Sequence, residues 1–246
     1  MTKRYISYII LLSILLISCD DENAFDCVKK VGDISTYEII LPEFNKIEII
    51  GDITLNIEND INQSVSLSTG QNLYPKIDFE VVDGKLTVSD KNYCTWVREY
   101  GNTTLHIKSN NITSIKNSGS RSVNSVGVYT IDNSLTLFSK NASGDYYMDV
   151  AGKELKVSSN KISNFYINGE IEKLFVGFYS GQGRFEGANL ITKNIKVFHR
   201  GSNDIIINPQ LLLTGSIEAF GNLIVMNTPD SINIVKNGKG QLLFPN

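Results

Sequence analysis

Three cysteines, two histidines and 26 acidic residues are the groups of this 246-residue chain that could carry chemistry. The histidines, His106 and His199, stand 93 positions apart in alternating apolar stretches. No His-Glu-x-x-His, Gly-x-Ser-x-Gly or paired-thiol spacing occurs, so neither a hydrolytic nor a redox centre is legible. So few histidines and thiols leave little material for a metal site. Gly144 and the run Gly181-Gln182-Gly183 imitate phosphate-binding loops but lack the helix and lysine that such a loop needs. They read better as turns. Ser143-Gly144-Asp145 and Asp83-Gly84 likewise lack an acidic calcium loop around them. The reading is therefore no catalytic residue, no metal and no cofactor. Asp145, Glu186 and Asp204 look like solvated turn charges at different depths of a repeat. Tyr146, Tyr147, Tyr166 and Tyr179 could line a glycan-binding face by stacking, but tyrosine is also common in strands that hold no ligand.

The cysteines say more. Lys3 and Arg4 precede an almost wholly apolar run from Ile9 to Ile17, the layout of a secretory signal peptide over residues 1–18. Leu16-Ile17-Ser18-Cys19 resembles a bacterial lipobox, with an aliphatic residue at −3, a small residue at −1 and the cysteine at the cut. Acylation of Cys19 would supply the two or more chains that stable anchoring requires. Asp20, Asp21 and Glu22 follow as an acidic tether, and similar runs act as surface-export addresses in the Bacteroides–Flavobacterium group. The expected location is the cell envelope, lipid-anchored at the outer membrane and facing outward. In that oxidising space Cys27 and Cys94 have each other as a partner and would close a loop of 94 − 27 = 67 residues. The alternative is two buried thiols.

The elements that hold these groups are strands. Asn numbers 26 and Ile 31, the usage of many short strands joined by tight turns. Candidate strands cover 34–41, 44–50, 53–58, 64–68, 77–82, 85–89 and 103–108. Val82-Asp83-Gly84-Lys85 between two alternating runs is the strongest hairpin signal. No long window keeps a 3.6-residue period, so almost no helix is expected. From about 105 the chain repeats, with units beginning at 135, 155, 174, 195 and 217, spaced 20, 19, 21 and 22 residues. Each unit has a short strand, a turn, a second short strand (146–150, 165–167, 184–186, 205–207, 223–226) and another turn. Strand-only repeats of this length fit a parallel β-helix-like solenoid better than an antiparallel sandwich. Leu135, Leu155, Leu174, Ile195 and Ile217 would form one inward ladder. Phe138, Phe178, Phe198 and Phe220 would stack likewise or pack outside.

Five stretches carry a family resemblance: ENAFDCVKKVGD (22–33), FNKIEI (44–49), VVDGKLTV (81–88), CTWVREYG (94–101) and NITSIKNSGS (111–120). They resemble the head-GIN domain, auto-transporter adhesin family of bacterial lipoproteins, over about 40–240. The resemblance implies an all-β, right-handed parallel β-helical domain on a cell envelope, with more irregular N-terminal strands. It carries no catalytic residues. The organisation expected is a signal peptide (1–18), a tether with the first cysteine (19–33) and one solenoid domain (34–246), regular over about 105–240. No self-export barrel is expected, since that would need many amphipathic spanning strands.

The formal charge of −3 argues against a nucleic-acid partner. The function expected is non-enzymatic and adhesin-like or scaffolding, with membrane contact through Cys19 and a glycan or envelope protein as partner. The rivals are a β-helix enzyme acting on polysaccharide, which would need convergent carboxylates in a groove, and a subunit of a larger envelope assembly.

Overall fold

The computed structural model describes residues 30–92, 102–140 and 142–245. Cys19, Cys27, Cys94 and the signal segment lie outside the described residues. Eight short strands come first: β1 (Ile34–Glu38), β2 (Lys46–Ile50), β3 (Thr54–Glu58), β4 (Ser64–Gly70), β5 (Ile77–Val82), β6 (Lys85–Asp90), β7 (Thr104–Lys108) and β8 (Ser114–Asn117). Five long strands follow: β9 (Val123–Ser139), β10 (Tyr146–Ser159), β11 (Phe165–Phe178), β12 (Phe185–His199) and β13 (Ile205–Ile217). Short strands β14 (Leu223–Val225), β15 (Ser231–Lys236) and β16 (Leu242–Leu243) close the chain. Among the described residues the one helical piece is a 3-10 turn at Tyr74–Lys76.

The long strands stack in parallel, one coil per repeat, so the fold is a β-solenoid. Each long strand serves two faces and bends between them. In β10 the bend falls at Gly152, whose φ of +141° suits glycine, and a Cβ there would collide with the Ile131 carbonyl of the coil below. Ahead of the bend lies face A, whose inward ladder is Val123, Tyr146, Phe165, Phe185, Ile205 and Leu223. Beyond it lies face B, with Leu135, Leu155, Leu174, Ile195 and Leu213 in register. All of these side chains are buried. One coil cannot cover its own apolar edge, so each ladder residue depends on those above and below.

The face B ladder ends on Leu213, not on the expected Ile217. Ile217 is buried but pairs with His199, four residues along the strand from the ladder position, because the coil from 195 reaches the next ladder position after 18 residues and not 22. The phenylalanines do not share a stack either. Phe178 points inward and is 1% exposed, whereas Phe220 is 66% exposed. Phe138 and Phe198 sit half-buried outside, because they occupy alternate positions of their strands.

The N-terminal strands are threaded differently. Along face B the order is β5-β6-β2-β8-β9, and along face A it is β1-β4-β7-β3-β9. The coil made by β2 and β3 thus lies between a later coil (β6 and β7) and the one begun by β8. Antiparallel strands cover this end: β1 on β4, β4 on β7, and β5 on β6. The β5–β6 hairpin turns at Asp83 (φ +50°) and Gly84 (φ +70°), as the Asp-Gly signal predicts.

Candidate binding faces

The turn that opens each face A strand carries a polar ladder. Asp145 Oδ1 accepts the Asn164 backbone N–H at 2.7 Å, and Asn164 Oδ1 accepts that of Arg184 at 3.1 Å. Higher up, Asp204 Oδ1 accepts the Asn222 N–H at 3.2 Å and Asn222 Oδ1 accepts that of Gln241 at 3.0 Å. Asp145 and Asp204 therefore hold the same depth in their coils, contrary to the sequence reading, because each directly precedes an inward ladder residue (Tyr146, Ile205). Glu186 sits two positions further along and pairs with Arg184, which also reaches Asp204 at 3.4 Å. These carboxylates satisfy backbone donors and a guanidinium between coils, and they do not converge on one reacting point. The Asn-rich composition held this signal, but the ladder shows only once the coils are in register.

The motif look-alikes resolve into turns. Gln182 and Gly183 both donate their backbone N–H groups to the Lys161 carbonyl of the coil below, at 2.9 and 3.0 Å. Gly144 runs so close to the Arg121 carbonyl that a Cβ would collide with it. His106 faces outward on β7, whereas His199 is fully buried. Burial lowers the His199 pKa below its usual 6.5, partly offset by hydrogen bonding at Asn203 and the charge of Asp204. Among the described residues no cluster of three or more His, Cys, Asp or Glu side chains is placed to hold a metal ion.

The tyrosines divide. Tyr146 lies inside the coil, where its hydroxyl donates to the Phe138 carbonyl at 2.9 Å and accepts the Asn117 N–H at 3.1 Å. Burial pushes its pKa far above the ordinary value. Tyr147 and Tyr166 stack outside on face A, with centroids 4.9 Å apart and planes 4° from parallel. The outward positions of that face in β10–β12 also carry Asp149 and Glu186, so its charge is negative.

Face B has the opposite sign. Its outward positions in β9–β13 carry Lys156, Lys173 and Lys196 against the single acid Glu154. Lys156 pairs with Glu154 at 2.8 Å. Lys173 and Lys196 form no ion pair among the described residues and are exposed. Phe175, two positions along the strand from Lys173, lies in register between Lys156 and Lys196, while Lys173 itself stands between Glu154 and Asn194. The neighbouring outward position is Gly177, and a Cβ there would lie 2.8 Å from the Phe175 ring and 3.1 Å from that of Tyr179. The missing side chain is what lets both rings settle over the strand. Tyr179 in turn meets Phe198 at 5.3 Å. A groove of about 300 Å³ runs beside Phe175, edged by the three lysines and Glu154, with Leu212 exposed in it and Leu174 and Ile195 buried beneath.

Residues 43–229 match the family model described as "Putative auto-transporter adhesin, head GIN domain". The chain belongs to this family. Solved structures share the fold of this chain at low identity. One is a "putative adhesin" of Bacteroides fragilis NCTC 9343, 20% identical with a TM-score of 0.80, over 88% of this chain and 99% of that one. Another, from Parabacteroides merdae ATCC 43184, bears the same description, at 18% identity and a TM-score of 0.59 over 88% and 98% of the two chains. A third is a "putative lipid binding protein" of Parabacteroides distasonis ATCC 8503, 16% identical with a TM-score of 0.62 over 88% and 99%. Comparison with curated proteins gives no match.

Proposed function

We propose that this head-GIN protein is a non-enzymatic, adhesin-like module of the cell envelope, tethered through an acylated Cys19 and binding its partner on the outer surface of the solenoid. The observation that carries this reading is face B: a continuous outward sheet with an excess of lysines, aromatic rings and a groove beside Phe175. Asp145 and Asp204 are engaged in holding coils together and Glu186 is paired with Arg184, which favours binding over catalysis. The family and the adhesin descriptions of its structural neighbours support the same reading. The lipobox supports the anchor.

The test is made on cells. Cells carrying the native protein should lose it to external protease, and Cys19→Ser should move it from the membrane fraction to the soluble fraction. Attachment of those cells to glycan- or protein-coated surfaces should fall in both cases. Unchanged attachment after complete removal of the protein would overturn the adhesin-like role.

A further inference from the structure

We infer that face B binds an acidic polysaccharide laid along the solenoid axis, with its carboxylates on Lys173 and Lys196 and a sugar ring on Phe175. This deepens the adhesin-like reading and rests on it.

Three observations lead there. The first is charge. The chain carries a formal −3, yet the outward strand positions of β9–β13 on this face hold three lysines and one glutamate. Glu154 is engaged by Lys156, whose hydrogen bond holds its carboxyl below the usual range. Lys173 stands opposite Glu154 in register without bonding to it, and Lys196 has no acid in register, so three lysines against one glutamate leave the face two positive charges for an external anion. Face A, where Asp145, Asp149, Glu186 and Asp204 outnumber the single Arg184 on its part of β10–β13 and the residue ahead of each strand, would repel the same ligand.

The second is spacing. Lys173 and Lys196 lie on adjacent coils, and Lys156, Phe175 and Lys196 on three successive coils. Coils repeat every ~4.8 Å along the axis. A 1,4-linked pyranose advances its chain by close to the same distance, so successive sugars would meet successive coils. A folded protein ligand has no such repeat.

The third is the aromatic floor. The bare Gly177 leaves room for the half-buried Phe175 ring on the outer side of the strand, and the exposed Leu212 adds apolar surface to the same groove. The C–H face of a sugar packs on such a ring while its carboxylate reaches a flanking ammonium. Lysine suits a carboxylate met as a point charge. An absence of arginine among these outward positions, together with the acidic chain, disfavours a nucleic-acid strand.

The experiment titrates the purified protein with polygalacturonate, a neutral 1,4-linked xylan, single-stranded oligothymidylate and anionic phospholipid vesicles. Polygalacturonate should bind, and more weakly as salt rises. The double variant Lys173→Glu, Lys196→Glu should weaken it roughly tenfold or more. Phe175→Ala should weaken it at any salt concentration. Lys193→Glu, which lies off this face, and Lys173→Arg should keep most of the affinity. Thermal melts of all variants close to the parent would show that the fold is intact. Preference for xylan, oligothymidylate or vesicles would overturn the acidic-polysaccharide assignment and leave the adhesin-like role standing. Binding of polygalacturonate that survives the double variant would overturn face B as its site. Failure of the cell-attachment test would instead remove the reading on which the assignment rests.

Discussion

The N-terminal third and the coils from β9 onward bury the same kinds of side chain but reach that state by different routes. In the later coils each contact spans about one repeat, as in Asp145 to Asn164 or Asp204 to Asn222, 19 and 18 residues apart. In the N-terminal part the coil of β2 and β3 is held by residues far along the chain. Lys116 reaches Glu48 across 68 residues, Arg121 reaches Asp52 across 69, and Asn124 reaches Asn56 across 68 at 2.9 Å. Glu48 is the bridge, taking Lys85 from the coil on one side at 3.0 Å and Lys116 from the other. Burial opposes its charge, but the two lysines outweigh that and lower its pKa. Linear stacking can grow one coil at a time, whereas an inserted coil must wait for distant chain to close on it, at a cost in loop entropy. The N-terminal region should therefore be the slow part of folding.

The largest effects should come from the shared core. Leu174, 3% exposed in the middle of the face B ladder, should cost roughly 2–5 kcal/mol when changed to alanine, read by denaturant unfolding. The same change at Leu55, in the inserted coil and fully buried, should fall in that range but slow refolding more, whereas Leu174→Ala mainly speeds unfolding. Equal refolding rates for the two variants would break the comparison.

A covalent staple would sharpen it. We propose a Cys27–Cys94 bond. What supports it is that the chain ends flanking both cysteines are pinned beside one turn: Asn72 Nδ2 donates to the Lys30 carbonyl at 3.2 Å, and Asn92 Nδ2 donates to the Leu73 carbonyl at 3.0 Å. Reduction should destabilise the protein by on the order of 4 kcal/mol, less any strain. Two titratable thiols in the denatured, unreduced protein would rule the bond out.

The turn ladder should give smaller effects. Asp145→Ala removes one acceptor from a half-buried backbone donor and should cost about 0.5–1.5 kcal/mol, while Asp145→Asn should cost less because an amide oxygen can take the same bond. His199 makes stability depend on pH. Its folded pKa is lowered, so the unfolded chain binds more protons; the stabilisation is complete above about pH 6.5 and is lost as pH falls towards the folded value. His199→Leu should flatten that part of a melting-temperature profile. Smallest of all, substitutions at the exposed Lys140 or Lys161 should stay within about 0.5 kcal/mol in thermal melts.

Much of this was legible from residue order alone. Alternation and a near-twenty-residue spacing are local properties, and they specify strands, the parallel stack, the Asp83-Gly84 hairpin and the inward places of Leu135, Leu155, Leu174 and Ile195. Spacing failed at Ile217 because one coil is shorter than its neighbours, and only pairing with the coil below reveals the shift to Leu213. It failed for Asp145 and Asp204 because the turn ahead of Asp204 is one residue shorter than the turn ahead of Asp145. The insertion of β2 and β3 between later coils has no local signature, since a strand reads the same whichever neighbour it pairs with. The basic face is likewise a tertiary product. Lys156, Lys173 and Lys196 are scattered through the sequence, and they meet around Phe175 because successive coils stack one above another with alternate side chains turned outward.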